Sequence, residues 1–351
     1  LYLIATKTER TLPIMPIQIL STRELTPKQL ASLRAVVPDA EIVHFWAKSG
    51  SEIEQALTPA TEVLFTGRGD YSFDHASGLR WVQMENAGID HIHNTPLWHT
   101  SLPIASANGA HLPHLPEYVL TMLLAWAHRL PDLLAYQAQG YWFPGKDIHQ
   151  LWPRPVYGRT IGIVGYGAIG REIARMAKAL GMRILATRRP GGSLRYEGYS
   201  PAGLGDPEGN LPEAWFTLDE LPALLQQSDY VVLGVPLLPQ THHLIGATEL
   251  AAMQPQALLI NIGRGRLIDQ EALLVALQEK RIGGAVLDVT TPEPLPPDHP
   301  LWRQENVIIT PHLAGHIEHH FDNVVDLFAE NLRRYLAGEP LLNLVERSLG
   351  Y

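Results

Sequence analysis

From Ile17 onward, short apolar runs alternate with helical patterns. IQILS, EIVHF, EVLFTG and LRWVQM read as strands, while TPKQLASLRAVV and residues 51–57 repeat apolar side chains at helical spacing between them. Strand, helix, strand in succession predicts a parallel sheet with crossover helices. A second series starts at Arg159: TIGIVG, a helix over 168–180, RILAT, a helix over 218–227, YVVLGV, ALLINI, a helix over 269–280, GAVLDV and VIITP. The expectation is therefore an α/β chain with two Rossmann-like or flavodoxin-like parallel-sheet domains separated by a cleft.

Between the two series, apolar residues from Leu112 to Leu130 keep helical spacing, with Pro116 early and Pro131 just beyond, which predicts one long connecting helix. A final helix over 316–337 stops at Gly338. The predicted division is 1–108 for the first part of a substrate domain, 109–316 for a dinucleotide-binding domain, and 317–351 for a helix returning to the first. Two crossings between domains would form a hinge. Residues 190–216, RPGGSLRYEGYSPAGLGDPEGNLPEAW, are rich in Gly and Pro and read as an inserted surface loop.

Composition narrows the class. With 351 residues and 46% hydrophobic content there is material for two cores. A formal net charge of −9, with no long run of Lys or Arg, argues against a nucleic-acid partner. The absence of cysteine excludes disulfides, a thiolate nucleophile and cysteine-bound metal, and suits a cytoplasmic enzyme. The opening LYLIATKTERTLPIMPIQIL has no basic start followed by an apolar stretch and a cleavage site, so no secretory leader is expected. The apolar run Val119 to Ala127 is far shorter than the ~20 residues that span a bilayer, so no membrane partner is expected either.

The sharpest local signal is the strand TIGIV running into Gly165-Tyr-Gly167-Ala168-Ile169-Gly170 and then a helix. Gly165 permits the tight turn, Gly167 lets the backbone approach a pyrophosphate, and Gly170 lets helix pack on strand, with the helix N-terminus facing the anion. The next strand ends at Thr187, where the residue that reads the adenosine ribose is expected, about 20 residues past the turn. Arg188 and Arg189 stand there instead of an acid. Guanidinium donors suit a 2′-phosphate, which favours NADP and leaves NAD possible; the alternative is a pair of arginines on a solvated loop.

Four further pieces lie at or beyond predicted strand ends: VPLLPQTHHLI, NIGRG, DVTTPEPLP and TPHLAG. With the glycine turn, in this order and over about residues 17–337, they resemble the D-isomer-specific 2-hydroxyacid dehydrogenase family, and most closely its glyoxylate and hydroxypyruvate reductase branch. His312 stands where the formate dehydrogenase branch has glutamine. The resemblance implies that Arg264 is the substrate arginine, His312 the acid/base and Glu293 its carboxylate partner. It also implies that Val235, Pro236, Thr241, Ile262 and Gly263 line the cofactor and that Asp288 faces the nicotinamide carboxamide, although a strand-end Asp can equally cap a turn. In Met84-Glu-Asn-Ala-Gly-Ile-Asp90, the backbone of Asn86, Ala87 and Gly88 is the counterpart of the family's carboxylate-binding loop; a simple glycine turn is the alternative. Arg68, in Gly67-Arg68-Gly69, is a further candidate cation for the substrate.

These residue types suit the implied chemistry. A 2-oxo acid needs a cation for its carboxylate, which Arg264 can grip bidentately, and a proton for the developing alkoxide, which an imidazolium supported by Glu293 can give. The sixteen histidines, among them His91, His93, His316, His319 and His320, show no zinc spacing, so no metal is expected. The expected activity is NAD(P)-dependent interconversion of a small 2-oxo acid and its D-2-hydroxy acid. The alternative is a dinucleotide-binding, corepressor-like or sensing protein without turnover. The apolar connecting helix points to a homodimer.

Overall fold

A computed structural model describes residues 16–317 and 320–351, without the side chain of His320. The opening residues 1–15, with Glu318 and His319, lie outside the described residues; of the predicted final helix over 316–337, His316 and Ile317 are not helical and the helix is described from His320. Two compact units emerge. One comprises the chain through Glu85 together with Ile92–Ser106 and Val325–Leu344; the other comprises Asn86–His91, Ala107–Val324 and Val345–Tyr351.

The first unit holds β1 (Gln18–Ser21), α1 (Pro27–Val36), β2 (Glu41–His44), α2 (Gly50–Ala56), β3 (Thr61–Thr66), β4 (Trp81–Met84) and β5 (Ile104–Ala105). Its five strands pair in parallel in the order β2-β1-β3-β4-β5. The two-residue β5 has too little alternation to read from the sequence. Thr26 starts α1 with a reciprocal capping box: its hydroxyl accepts from the Gln29 amide, and the Gln29 side chain accepts from the Thr26 amide. Phe328 stacks on Phe65 with ring centroids 4.7 Å apart and meets Trp81 edge-on at 5.7 Å. Buried Asn331 donates to the Gln83 carboxamide and accepts from the Leu342 amide, so this polar side chain is satisfied inside the core.

The second unit contains α3 (His114–Ala127), α4 (Leu130–Ala138), β6 (Thr160–Val164), α5 (Ala168–Ala179), β7 (Arg183–Thr187), β8 (Ala214–Phe216), α6 (Leu221–Gln226), β9 (Tyr230–Leu233), α7 (Ala247–Ala252), β10 (Leu258–Asn261), α8 (Gln270–Gln278), β11 (Gly284–Leu287) and β12 (Val307–Ile309). The helix α9 (His320–Ala337) is divided between the units at Val324 and Val325. Seven parallel strands run in the order β12-β11-β10-β9-β6-β7-β8. Every residue of β6, β9, β10 and β11 is buried, as expected where helices cover both faces of a parallel sheet. The strand order reverses between β6 and β9, which opens a crevice at their C-terminal ends.

Two predicted elements are corrected. The single connecting helix over 112–130 is two helices: Arg129 takes a left-handed φ of 57°, and α4 restarts at Leu130 with Pro131 in its first turn, where a missing N–H costs nothing. The apolar stripe of α3 is also not exposed. Val119 and Leu123 are fully buried in a cluster with Ile173, Ala174 and Ala177 of α5.

The stretch 190–216 is no appended loop. β8 pairs in parallel with β7, Ala186 opposite Trp215, and parallel neighbours need a crossover, which residues 188–213 supply without a helix. Polar side chains fasten it in place of an apolar helix face. Arg171 on α5 donates to the carbonyls of Asp206 at 2.5 Å and Leu194 at 2.6 Å, and Gly205 donates its amide to buried Glu172. The Asp206 carboxylate accepts from Tyr166 and from the amides of Asn210 and Leu211. Apolar periodicity could not reveal an element held in this way.

Candidate active site

The strands of the second unit end on a row of turns that carry nearly all the candidate residues. At the first, Gly165 has φ 106°, and a Cβ there would lie 2.8 Å from the carbonyl of Gly234 and the amide of Val235. Only glycine meets both conditions. A Cβ at Gly170 would run into the Gly165 carbonyl. Gly167, by contrast, has nothing within 4 Å of that position, and no side chain caps the helix that starts at Ala168 and Ile169. The amides of that first turn therefore face open space in an arrangement that fits a pyrophosphate. Buried Thr187 accepts from the Gly165 amide at 2.9 Å, tying the glycine turn to the end of β7. Arg188 and Arg189 follow it into solvent.

Across the reversal, Val235 and Pro236 leave β9. Thr241 donates to the Pro236 carbonyl at 2.7 Å and accepts from the Leu238 amide at 2.8 Å, closing that loop on itself. The end of β10 is organised by Asn261, which sequence reasoning did not single out although it opens the NIGRG run. Its amide group donates to the Arg264 carbonyl, and its oxygen accepts from the Gly263 amide. Ile262 and Gly263 lie beside the Gly234–Val235 backbone.

Arg264 is tightly engaged. Its Nη2 lies 2.8 Å from Asp90 Oδ1, its Nε donates to the same carboxylate at 3.0 and 3.2 Å, and its Nη1 donates to the Gly263 carbonyl at 2.9 Å. The Nε/Nη2 edge of the fork is thus taken by protein. Nη1 and Nη2 each keep one hydrogen beyond these bonds, enough to donate to a carboxylate. Asp90 is a second residue that sequence reasoning missed: it follows the Asn86–Ala87–Gly88 segment, but nothing in its spacing announces a partner 174 positions away. Burial opposes ionisation of Asp90, yet the Arg264 hydrogen bond and charge outweigh it and hold the carboxyl below the ordinary aspartate range. A Cβ at Gly88 would meet the Arg264 guanidinium, so a side chain there would have to displace the tip of that arginine.

The next turns complete the chain of contacts. Gly265 is seated against the Thr290 carbonyl, three residues before Glu293. The Glu293 carboxylate lies 2.5 Å from Nδ1 of His312, both side chains being a little over 40% exposed. His312 takes φ 52°, a region that non-glycine residues enter uncommonly, and the hydrogen bonds around it hold it there. The His312 amide donates to the Asp288 carbonyl at 2.8 Å, and the buried Asp288 carboxylate accepts from Leu313, Ala314 and the Thr310 hydroxyl. Tyr118 of α3 meets Thr310 from behind at 2.6 Å. Asp288 thus anchors the turn that carries His312.

All of these residues belong to one unit, since Asn86–His91 groups with the second sheet. Arg68 belongs to the first. There it forms a two-pronged pair with Asp70 and lines a cavity of about 170 Å³, with Thr22, Arg23, Trp46, Gly67 and Glu85, at the C-terminal ends of β1, β3 and β4. Among the described residues no group of three or more histidines or acids could hold a metal ion, and no helix is long and apolar enough to cross a membrane.

A doubly wound sheet with an open glycine turn at its switch point, an arginine between two strand-end turns and a carboxylate-backed histidine define an oxidoreductase that uses a nicotinamide dinucleotide. Residues 120–314 match the family model described as D-isomer specific 2-hydroxyacid dehydrogenase, NAD binding domain, and the chain belongs to that family. A glyoxylate reductase of Korarchaeum cryptofilum is 35% identical over 277 residues, covering 79% of each chain. A D-3-phosphoglycerate dehydrogenase of Methanocaldococcus jannaschii is 31% identical over 272 residues, 78% of this chain and 48% of the relative. Among solved structures, a D-isomer specific 2-hydroxyacid dehydrogenase from Xanthobacter autotrophicus Py2, in complex with NADPH and MES, is 27% identical, covers 96% of this chain and 99% of its own, and superposes with a TM-score of 0.76.

The lowered pKa of Asp90 carries a consequence for stability. A carboxyl whose folded value lies below its unfolded value, ~3.9, contributes stability that is present above that value and lost as pH falls through the folded one. The melting temperature of Asp90→Asn is therefore expected to lie below that of the unsubstituted chain at pH 7, with the gap narrowing as pH approaches 3. A pH-independent gap in thermal melts would show that the Asp90 charge is not what stabilises the turn.

Proposed function

We propose that this enzyme reduces a small 2-oxo acid of the glyoxylate or hydroxypyruvate type to its D-2-hydroxy acid, or catalyses the reverse, in the cytoplasm and with NADP preferred over NAD. The observation that carries the reading is the convergence of two pairs on neighbouring turns: Asp90 with Arg264, whose neighbour Gly265 is seated against Thr290, and Glu293, three residues after Thr290, with His312. Glycine turn, cation and acid/base are thereby supported by one rigid sheet edge. The 35% identical glyoxylate reductase supports the substrate class, and the exposed Arg188 and Arg189 support the coenzyme. The ordered set of turns favours turnover over a partner-binding role.

Arg264 keeps one hydrogen on each of Nη1 and Nη2 for the substrate carboxylate, and the backbone of Ala87 and Gly88 offers N–H groups to the same anion. Its fixed charge also polarises the 2-oxo group. With Nδ1–H donated to Glu293, His312 presents Nε2 to the substrate oxygen. A bound reduced nicotinamide supplies the hydride. As the carbonyl carbon accepts it, the Nε2 proton passes to the oxygen and leaves a neutral imidazole that Glu293 keeps in register.

Homodimerisation is part of the proposal, through a different surface from the one the sequence indicated. α4 has no buried residue, and Leu130, Leu133 and Leu134 on it, with Trp142 and Trp152 beyond, are exposed. Apolar exposure concentrated in one stretch of chain marks a contact surface, and a second copy of the chain is its proposed occupant. Sedimentation velocity is expected to give twice the chain mass, falling to one chain mass in Leu134→Asp; a monomer before substitution would reject the assignment.

Two kinetic outcomes follow. A panel of glyoxylate, hydroxypyruvate, pyruvate and bulkier 2-oxo acids with NADPH and NADH, followed by absorbance, is expected to give the highest kcat/KM for one of the first two with NADPH. A clear preference for a bulkier acid would overturn the substrate class. His312→Gln is expected to lose roughly 100- to 10,000-fold in kcat while keeping its coenzyme dissociation constant. Near-normal turnover would remove the proton-donor role.

A further inference from the structure

Thr187 is followed by two cations whose side chains lie on different aromatic rings. The guanidinium carbon of Arg188 lies 5.9 Å from the Trp215 ring centroid, on the crossover side, and that of Arg189 lies 5.5 Å from the ring of Tyr351. Trp215 stands opposite Ala186 in the neighbouring strand, so its position comes with the sheet. Tyr351 is 162 positions beyond Arg189 in sequence and belongs to the segment Val345–Tyr351, which groups with the second unit.

That segment is a folded turn. The amides of Leu349 and Gly350 donate to the Glu346 carbonyl at 2.9 and 3.0 Å, and the Glu346 amide donates to the Tyr351 carbonyl at 3.0 Å. The ring is thus held from its own backbone. Tyr351 keeps 37% of its surface exposed, and partial burial still pushes its phenol above the ordinary value while the Arg189 charge opposes the shift, as the proximity of the two requires. An arginine on a loop is otherwise free to sample many rotamers, and ordering it on a ligand has an entropic cost. An aromatic face that already restricts the guanidinium removes part of that cost.

We propose that Tyr351 is a positioning residue for coenzyme selection: its ring holds the Arg189 guanidinium at the end of β7, where a 2′-phosphate on the adenosine ribose would be gripped. The segment 345–351 is then part of the coenzyme site. This rests on the NADP reading above, and the two can fail separately. The ring gives nothing to a coenzyme that lacks the phosphate, because Arg189 then has no anion to meet.

Direct fluorescence titration with NADPH and NADH tests this without turnover. The unsubstituted chain is expected to bind NADPH more tightly, and Arg189→Ala to weaken NADPH about 10- to 100-fold with NADH unchanged, the loss of a charge-assisted contact. Tyr351→Ala is expected to weaken NADPH about two- to five-fold, again with NADH unchanged, and Tyr351→Phe, which keeps the ring, to bind both normally. Equal affinities in the unsubstituted chain together with an inert Arg189→Ala would overturn the NADP reading, and this inference with it. A NADPH preference that Arg189→Ala abolishes but Tyr351→Ala leaves intact would overturn the inference alone. Weakening of both coenzymes alike by Tyr351→Ala would also overturn it, assigning the ring to structure. So would tighter NADPH binding, which would mean that the ring obstructs the phosphate.

Discussion

The parallel ladder of the second sheet constrains everything built on it. Its central strands are buried along their whole length, so each must leave the sheet at the same edge and return over a face by a crossover. The turns after β6, β9, β10, β11 and β12 are therefore delivered side by side, whatever their distance in sequence. Gly165 lies against Gly234 and Val235, Gly263 against Val235, Gly265 against Thr290, and His312 against Asp288 because the strands beneath them are in register. The candidate active site is one edge of a core.

On that edge, carboxylates and carboxamides do the positioning. Asn261 folds the turn that carries Arg264, Asp90 takes one side of the Arg264 fork, and Asp288 gathers amides and a hydroxyl from the turn that carries His312. Asn261 and Asp288 substitute for hydrogen bonds that an irregular backbone would otherwise lose on burial. They also remove freedom from Arg264 and His312, the two groups proposed to meet substrate. The left-handed φ of His312 is tolerated because Asp288 holds both the residue itself and the two that follow it. The same device holds the β7–β8 crossover, where Arg171, Glu172 and Asp206 replace the apolar face of a helix.

How much was legible depended on the range of the signal. The strand and helix rhythm, the glycine turn and the strand-end motifs are local, and they appear where the periodicity placed them. The misread elements have other causes. Pro131 was taken as a helix stop, whereas after left-handed Arg129 it begins a new helix, a choice decided by backbone angle. The stretch 190–216 looked dispensable because Gly and Pro give no period, although its far end is strand β8. Asn261 and Asp90 were within quoted motifs, but their chemistry lies in partners that spacing alone does not identify.

By itself the sequence determined the α/β class, the two series of parallel strands, the dinucleotide turn and the family, because each rests on short-range residue order: an apolar period, a glycine spacing, a motif after a strand. Only the tertiary structure decided which edge of Arg264 is taken by Asp90, that Asp288 anchors the His312 turn, that the apolar stripe of α3 is buried while α4 is exposed, and that Tyr351 lies on Arg189. These are contacts between residues tens to hundreds of positions apart. They exist because a closed core brings distant turns to one edge, and no local pattern encodes which of them will touch.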